Sequence, residues 1–443
     1  VSIRTTTWIL LATLAAIAAY FFLVDQRAEQ AKQREHVASL KLFPYARADV
    51  GRFILINPLG ERIEVEHGDS GWKIVSPVEA PGDRPAIESF LDQVVPGRTV
   101  IGLPDAQNLA DYGLDKPFAT LIIFHKGAAA PDTLFVGDKT PTSSNTYVRI
   151  GSSRNVIISS MLTHNVMNRG LLHLRDKNFL PPGFESITAV AVRTGRETLL
   201  LKKEDGFWWF AERRVHADRV KIEAYLSRLT DAVIHAFVRE DTKELAPYGL
   251  NAPTQQITLT KSQETATISF GKKENEVVDV VRTGLDKVVQ IDTSFLDVFT
   301  WNARNLRAMN LTFFMEDSVK TVRFETSDTS AVFKRTKTKW STANGDTLAI
   351  KWFEVNGLLR KLDALKFDRI LTEPLPPGEP RLSPFLVRVT LEGAGGSVLD
   401  RITIAAAGAG AETGVSTSAD AVGSLPAGTG GELKAILKRI VAR

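Results

Sequence analysis

Seven histidines are the first residues to weigh for chemistry: His36, His67, His125, His164, His173, His216 and His235. No two stand three or four apart, the spacing that puts two imidazoles on one helical face, and no His-Glu-x-x-His occurs. None recurs at an equivalent position of the repeat described below, so they read as solvated or incidental. The chain has no cysteine, which removes disulfides, thiolate nucleophiles and Cys-based metal centres together. Carboxylate pairs such as Glu64/Glu66 and Glu240/Asp241 lack a histidine, serine or lysine partner at a diagnostic distance, and fit solvated faces and caps. "GAGAETG" (Gly408–Gly414) follows a strand-like "ITIA" and looks like a phosphate-cradling loop. The "VSTSAD" after it is not the helix whose N-terminus such a loop needs, so a degenerate hairpin is expected instead. No Walker lysine, Gly-x-Ser-x-Gly or supported Ser-x-x-Lys is present. The expectation is a chain with no catalytic residue, no metal site and no cofactor. An exported enzyme whose site is assembled from distant residues stays open as an alternative.

Aromatic residues offer a different chemistry. In "GFWWFAERR" Trp208 and Trp209 are neighbours, so on a strand they point to opposite faces. Trp209 and Phe210 are the candidate ligand- or partner-binding residues. Inter-module packing is the favoured account of Trp209, since adjacent domains need apolar contact, and presentation to a ligand or partner is its alternative.

The elements that must position these residues come in copies. "LADYGLDKP" at Leu109–Pro117 returns as "LAPYGLNAP" at Leu245–Pro253, and "DRPAIESFLDQV" at Asp83–Val94 as "DRVKIEAYLSRL" at Asp218–Leu229. "LFVGDK" parallels "ISFGKK", and "LRDKNF" parallels "LRAMNL", all in the same order. A worn third copy keeps "TKWSTANGD", "VNGLLRKLDAL" and "LSPF" but loses the Tyr-Gly-Leu and Phe-Gly lines. The repeat markers are Trp72, Trp208 and Trp340 as core residues, Tyr112 with Gly113, Tyr248 with Gly249, and Phe385 in the place of the tyrosines. Gly113 and Gly249 sit where a left-handed cap ends a short helical turn, Leu114 and Leu250 supply the hydrophobic contact, and Pro117 and Pro253 stop continuation. Asp105, and Asp241 with Glu244, are the candidate caps. The tyrosines are expected as buried pegs.

Within a module, "RFILIN" and "RIEVE" alternate at period two and "AIESFLDQVV" sets Ile87, Phe90, Leu91 and Val94 on one helical face. The fold class is therefore α+β: three tandem repeated modules, each a mainly antiparallel sheet with about two helices, behind an N-terminal transmembrane helix. The length alone suggests about three domains. The divisions are a stub at 1–7, an anchor at 8–24, a polar linker helix at 25–41, and modules at 42–180, 181–311 and 312–443. The last carries a Gly/Ala-rich segment and an amphipathic basic helix, "ELKAILKRIVAR", expected to dock on it.

The anchor is "WILLATLAAIAAYFFLV", 17 residues without a charge or helix breaker. As a helix it spans roughly 26 Å, with Trp8, Tyr20, Phe21 and Phe22 suited to the membrane interfaces. A cleavable signal is the rival, with Ala16-Ile17-Ala18 as its small-x-small site, but the apolar run continues to Val24. Arg27, Lys32 and Arg34 after the span, against Arg4 before it, favour a cytoplasmic body by the positive-inside rule, although long following domains translocate regardless. The net charge of +4 makes no case for nucleic acid.

An anchor followed by tandem modules with "GWKIVSP", "DRPAIESFLDQV", "YGLDKP" and "FVGD", and an "LRDKNF" exit, resembles domain-of-unknown-function family 4340 from about Leu42 onward. The resemblance implies a bacterial inner-membrane protein, single-pass, with its bulk on the periplasmic side, often encoded beside gliding-motility-type ABC transporters. It carries over no catalytic residue. The functional expectation is a non-enzymatic accessory, scaffold or substrate-binding component of an ABC-2-type export system. Its partners would be the inner membrane and a transporter permease or another envelope protein. An envelope polymer- or lipid-binding module using an exposed aromatic sheet face is the alternative.

Overall fold

A computed structural model describes residues 41–441, apart from 98, 104–105, 107, 182, 185, 214, 338, 343–351, 377–381 and 409. The expected anchor with Trp8, Tyr20, Phe21 and Phe22, the stub, Asp105 and all but the last residue of the linker lie outside the described residues. Among the described residues no helix is long and apolar enough to cross a membrane. The chain divides into two compact units, one to Lys177 and one from Asn178.

The first unit holds one sheet. Strands β1 (Val50–Ile56), β2 (Arg62–Gly68), β3 (Gly71–Ser76) and β4 (Ala80–Pro81) step to one edge, then helix α1 (Arg84–Val94) carries the chain to the other. There β5 (Thr99–Leu103) forms the far edge, and β6 (Ala119–His125), β7 (Asp132–Lys139), β8 (Asn145–Ile150) and β9 (Val156–Ser160) fill the middle, followed by α2 (Met161–Val166) and α3 (Leu171–Leu174). The order is β4-β3-β2-β1-β6-β7-β8-β9-β5, and every pairing is antiparallel. Alternation explains the single buried face: Ile63 and Val65 of β2 are fully buried while Arg62 and Glu66 are exposed. Helix α1 starts where the Asp83 carboxylate accepts the Ala86 N–H and a proline occupies the first turn. It buries Ile87, Phe90, Leu91 and Val94, as its periodicity requires, each worth roughly 1.5–3 kcal/mol.

The second unit repeats this plan twice. Strands β10 (Ala189–Thr194), β11 (Glu197–Glu204), β12 (Phe207–Phe210) and β13 (Val215–His216) lead into α4 (Arg219–Thr230), then β14 (Ala236–Arg239), β15 (Gln255–Lys261), β16 (Glu264–Glu274), β17 (Val277–Arg282) and β18 (Val288–Asp292). Their order, β13-β12-β11-β10-β15-β16-β17-β18-β14, is that of the first sheet. The third sheet has β19 (Thr321–Thr326), β20 (Ser330–Thr336), β21 (Lys339–Thr342), α5 (Trp352–Ala364), β22 (Arg369–Thr372), β23 (Phe385–Glu392), β24 (Val398–Gly408), β25 (Ala411–Ser416), β26 (Ala421–Leu425) and α6 (Thr429–Val441). It runs β21-β20-β19-β23-β24-β25-β26-β22. Each sheet has its own core, and Trp72, Trp208 and Trp340 are buried one in each. Phe179 and Leu180 already belong to the second core and Leu311 to the third. The Gly/Ala-rich segment forms the β24–β25 hairpin, closed by Gly408 opposite Ala411, and α6 docks through Leu433, Leu437 and Ile440.

The Tyr-Gly-Leu lines are short 3₁₀ turns at Leu109–Tyr112 and Ala246–Tyr248. Gly113 and Gly249 end them in the left-handed region, φ 66° and 69°. The Leu114 and Leu250 N–H groups reach back to the Leu109 and Leu245 carbonyls, the Schellman pattern. The buried peg is the leucine, not the tyrosine: Leu114 and Leu250 are both 2% exposed, whereas Tyr112 and Tyr248 are half-buried. The first turn is capped by Asn108, and Asp241 does not cap the second; its carboxylate accepts the Lys243 N–H at 2.9 Å. Phe385 does not replace the tyrosines either. It opens β23, and counting back from the paired core strands puts it level with Pro117 and Pro253.

A second repeated line explains the first. A Cβ on Gly137 of β7 or Gly271 of β16 would collide with the carbonyl oxygen of Tyr112 or Tyr248. "YGL" and "VGD" or "FGK" are thus two sides of one contact. The matching position of β24 is Ala405, where the ladder continues in register to Ala406; the third copy carries neither the Tyr-Gly-Leu sequence nor the glycine.

Candidate functional site

Within the second unit, the second and third modules meet at β13. Its pairing with β12 sets His216 opposite Trp209, the rings 3.6 Å apart. The other face of the imidazole lies on Phe313, centroids 3.6 Å and planes 11° apart, with Phe207 edge-on to Phe313 at 6.0 Å. The strand pattern that buries Trp208 and Phe210 in the second core turns Phe207 and Trp209 to this junction. Trp209 is accordingly half-buried within the stack. Phe210, 4% exposed, is a core residue and does not share its face, so it is removed from the candidate binding residues.

Backbone pairing holds the junction in place. The Asp218 N–H donates to Leu306 O at 2.7 Å and Ala308 N–H to His216 O at 3.0 Å, while Leu311 N–H donates to Leu365 O and Phe367 N–H to Met309 O. The segment 306–311 is therefore clamped between the two modules, and Arg307 adds an ion pair to Glu373 at 2.7 Å. The first module makes the equivalent closure, with Asp83 N–H on Leu174 O at 2.8 Å; this is why "LRDKNF" and "LRAMNL" repeat.

A buried carboxylate supports Phe313 from the third module. Asp400 is fully buried on β24 and accepts hydrogen bonds from the Ser416, Thr417 and Ser418 hydroxyls and the Ser418 N–H. The Ser418 Oγ, so oriented, accepts the Phe313 N–H at 2.9 Å. Burial raises the Asp400 carboxyl above its usual range, with the serine and threonine donors working against that rise. Burial pushes His216 down to about 4; a hydrogen bond to the Ser418 backbone opposes this and the Arg307 guanidinium adds to it. The imidazole is thus neutral in the stack near pH 7.

Beside the stack opens a cleft of about 510 Å³, bounded by Phe207, His216, Phe313, Arg219, Asp363 and Lys366. Helix α4 enters it by its first turn, where Asp218 caps Lys221 and Glu223 binds Lys203 at 2.9 Å and Arg219 at 3.0 Å. Burial alone would raise the Glu223 carboxyl, but the hydrogen bonds and charges of those two cations carry it below its usual range. Asp363 is exposed by surface area, and the partial desolvation it meets at the cleft rim raises its carboxyl, only partly offset by Arg219. Trp208 Nε1 and His216 Nδ1, both on residues of the cleft wall, are buried without a protein partner. In the third module the corresponding Trp340 Nε1 donates to Asn356 at 2.8 Å. Glu223 stands in Asn356's place on α4, and its carboxylate is already committed to Lys203 and Arg219.

This arrangement can hold a ligand between aromatic and polar walls. Among the described residues no group of three His, Asp or Glu side chains is placed to hold a metal ion. Trp208 and Trp209 were marked by the sequence. His216, Phe313, Asp363 and Ser418 were not, because they come from segments up to about two hundred residues apart and no spacing connects them.

The family model described as "Domain of unknown function (DUF4340)" matches residues 72–215 and again 208–382. The matches span more than two thirds of the chain, which belongs to that family. Each match begins at a core tryptophan, Trp72 or Trp208, in the third strand of one sheet and runs on into the next sheet. No curated protein and no solved structure matches the chain.

Proposed function

We propose that this chain is a non-enzymatic, membrane-anchored scaffold or substrate-binding component of a bacterial envelope export system of the ABC-2 type. In this proposal Trp8–Val24 is a single inner-membrane span, the three modules lie on the periplasmic side, and a transporter permease is the partner. One observation carries the scaffold reading: what the modules repeat is packing. Trp72, Trp208 and Trp340 lie in cores, Gly113 and Gly249 end turns, and Gly137 and Gly271 admit those turns against the sheet. A duplicated reaction centre would repeat its polar groups instead, since chemistry resides in particular side chains and not in the fold. The transporter partner is supported by the family resemblance alone.

The test is crosslinking in intact membranes followed by identification of the captured proteins. Recovery of a transporter permease supports the proposal. Abundant protein with no transporter subunit captured defeats it.

A further inference from the structure

We propose that the cleft between the second and third modules is a binding site for a neutral saccharide. Its volume, about 510 Å³, falls within the roughly 300–1,000 Å³ of small-ligand sites. Three kinds of group meet there, and together they select the ligand class.

The first is aromatic. Phe207 and Phe313 line the cleft and give it apolar ring surface, on which the C–H face of a pyranose can rest. The second is unpaired hydrogen-bonding capacity of both senses. Among the described residues the Asp363 carboxylate meets no protein donor and the Lys366 ammonium no protein acceptor, and both residues are exposed at the rim. A carboxylate only accepts and an ammonium only donates, whereas the hydroxyls of a sugar do both, so one ligand answers Asp363 and Lys366 together.

The third is charge balance. The lining acids Asp218, Glu223 and Asp363 face Arg219 and Lys366 in the cleft and Lys203 on Glu223, so no uncompensated field favours an ion. A phosphate would find only Lys366 unpaired, since Arg219 is held by Glu223, and the Asp218, Glu223 and Asp363 carboxylates in the same lining oppose an anion. A lipid tail would bury Asp363 and Lys366 without partners, which is costly.

The experiment uses the full chain in a detergent without a sugar headgroup. Trimers of glucose, mannose, galactose and N-acetylglucosamine are titrated by tryptophan fluorescence and by saturation-transfer NMR. At least one should bind saturably, and Asp363→Asn and Lys366→Met should each weaken it at least tenfold with an unchanged melting temperature. Both side chains are unpaired and exposed, so these variants keep the fold. Saturable binding by none of the four trimers overturns the proposal, as does binding that both variants leave intact. Competition by inorganic phosphate also overturns it, in favour of an ion site. The inference stands independently of the transporter proposal, because saccharide binding and permease crosslinking are read separately and either can fail alone.

Discussion

The imidazole of His216 lies flat on the ring of Phe313, with centroids 3.6 Å and planes 11° apart. One residue belongs to the second sheet's edge strand and the other to the segment that enters the third module. The contact therefore joins two separately cored modules. The imidazole's second face rests on Trp209, also at 3.6 Å. A charged imidazolium would be poorly housed there, beside Arg307 and shielded from water.

Acid should loosen this junction. With His216 held at about 4 in the fold and near 6.5 when unfolded, both states are neutral above pH 6.5 and stability is unaffected there. Between pH 6.5 and 4 only the unfolded state takes up the proton, so stability falls as pH falls, by roughly 3 kcal/mol in all. Urea unfolding from pH 7.5 to 4 should show that slope, and His216→Phe should flatten it. Parallel slopes in both proteins would remove His216 as the cause.

Asp400→Asn should weaken the same junction from the other side. The amide replaces an acceptor that satisfies the Ser416, Thr417 and Ser418 donors, at a cost of about 2 kcal/mol. Ser418 would lose its orientation toward Phe313. Hydrogen exchange at the Phe313 amide should therefore accelerate more than exchange in the first module, where no change is expected.

Gly271→Ala and Gly137→Ala should each destabilise their module by about 2 kcal/mol, because the new methyl meets the Tyr248 or Tyr112 carbonyl oxygen. Gly51→Ala, with nothing near its Cβ position, is the control. Equal thermal midpoints for all three variants would refute the paired-motif account.

Topology is readable with a single thiol, since the chain has no cysteine. Ser70 is exposed in the turn between β2 and β3, so Ser70→Cys should fold normally. A membrane-impermeant thiol reagent should label it once the outer barrier is opened. Labelling only after inner-membrane lysis would put the modules on the cytoplasmic side.

The α+β class and the buried face of α1 could be read from residues close together in the chain, and the internal repeat from short lines that recur in the same order. Strand alternation at Ile63 and Val65 and helix spacing at Ile87, Phe90, Leu91 and Val94 are local, because the backbone period decides which side chains share a face. The same locality explains the errors. Tyr112 looked like the peg because it is larger than Leu114, but the left-handed turn at Gly113 directs the leucine inward. "LSPF" looked like "LAPY" by composition, while strand register moves Phe385 five positions on.

By itself, then, the sequence determined a tandem α+β architecture, its glycine-ended turns and its core tryptophans, since each follows from propensity and period within a few residues. Only the tertiary structure decided that Phe210 faces inward while Trp209 joins a stack. It also brought His216, Phe313, Asp363 and Ser418 to one junction. These residues meet because two modules pack across a connector clamped at 306–311, and the spacing of residues along a chain carries no record of where distant segments come together.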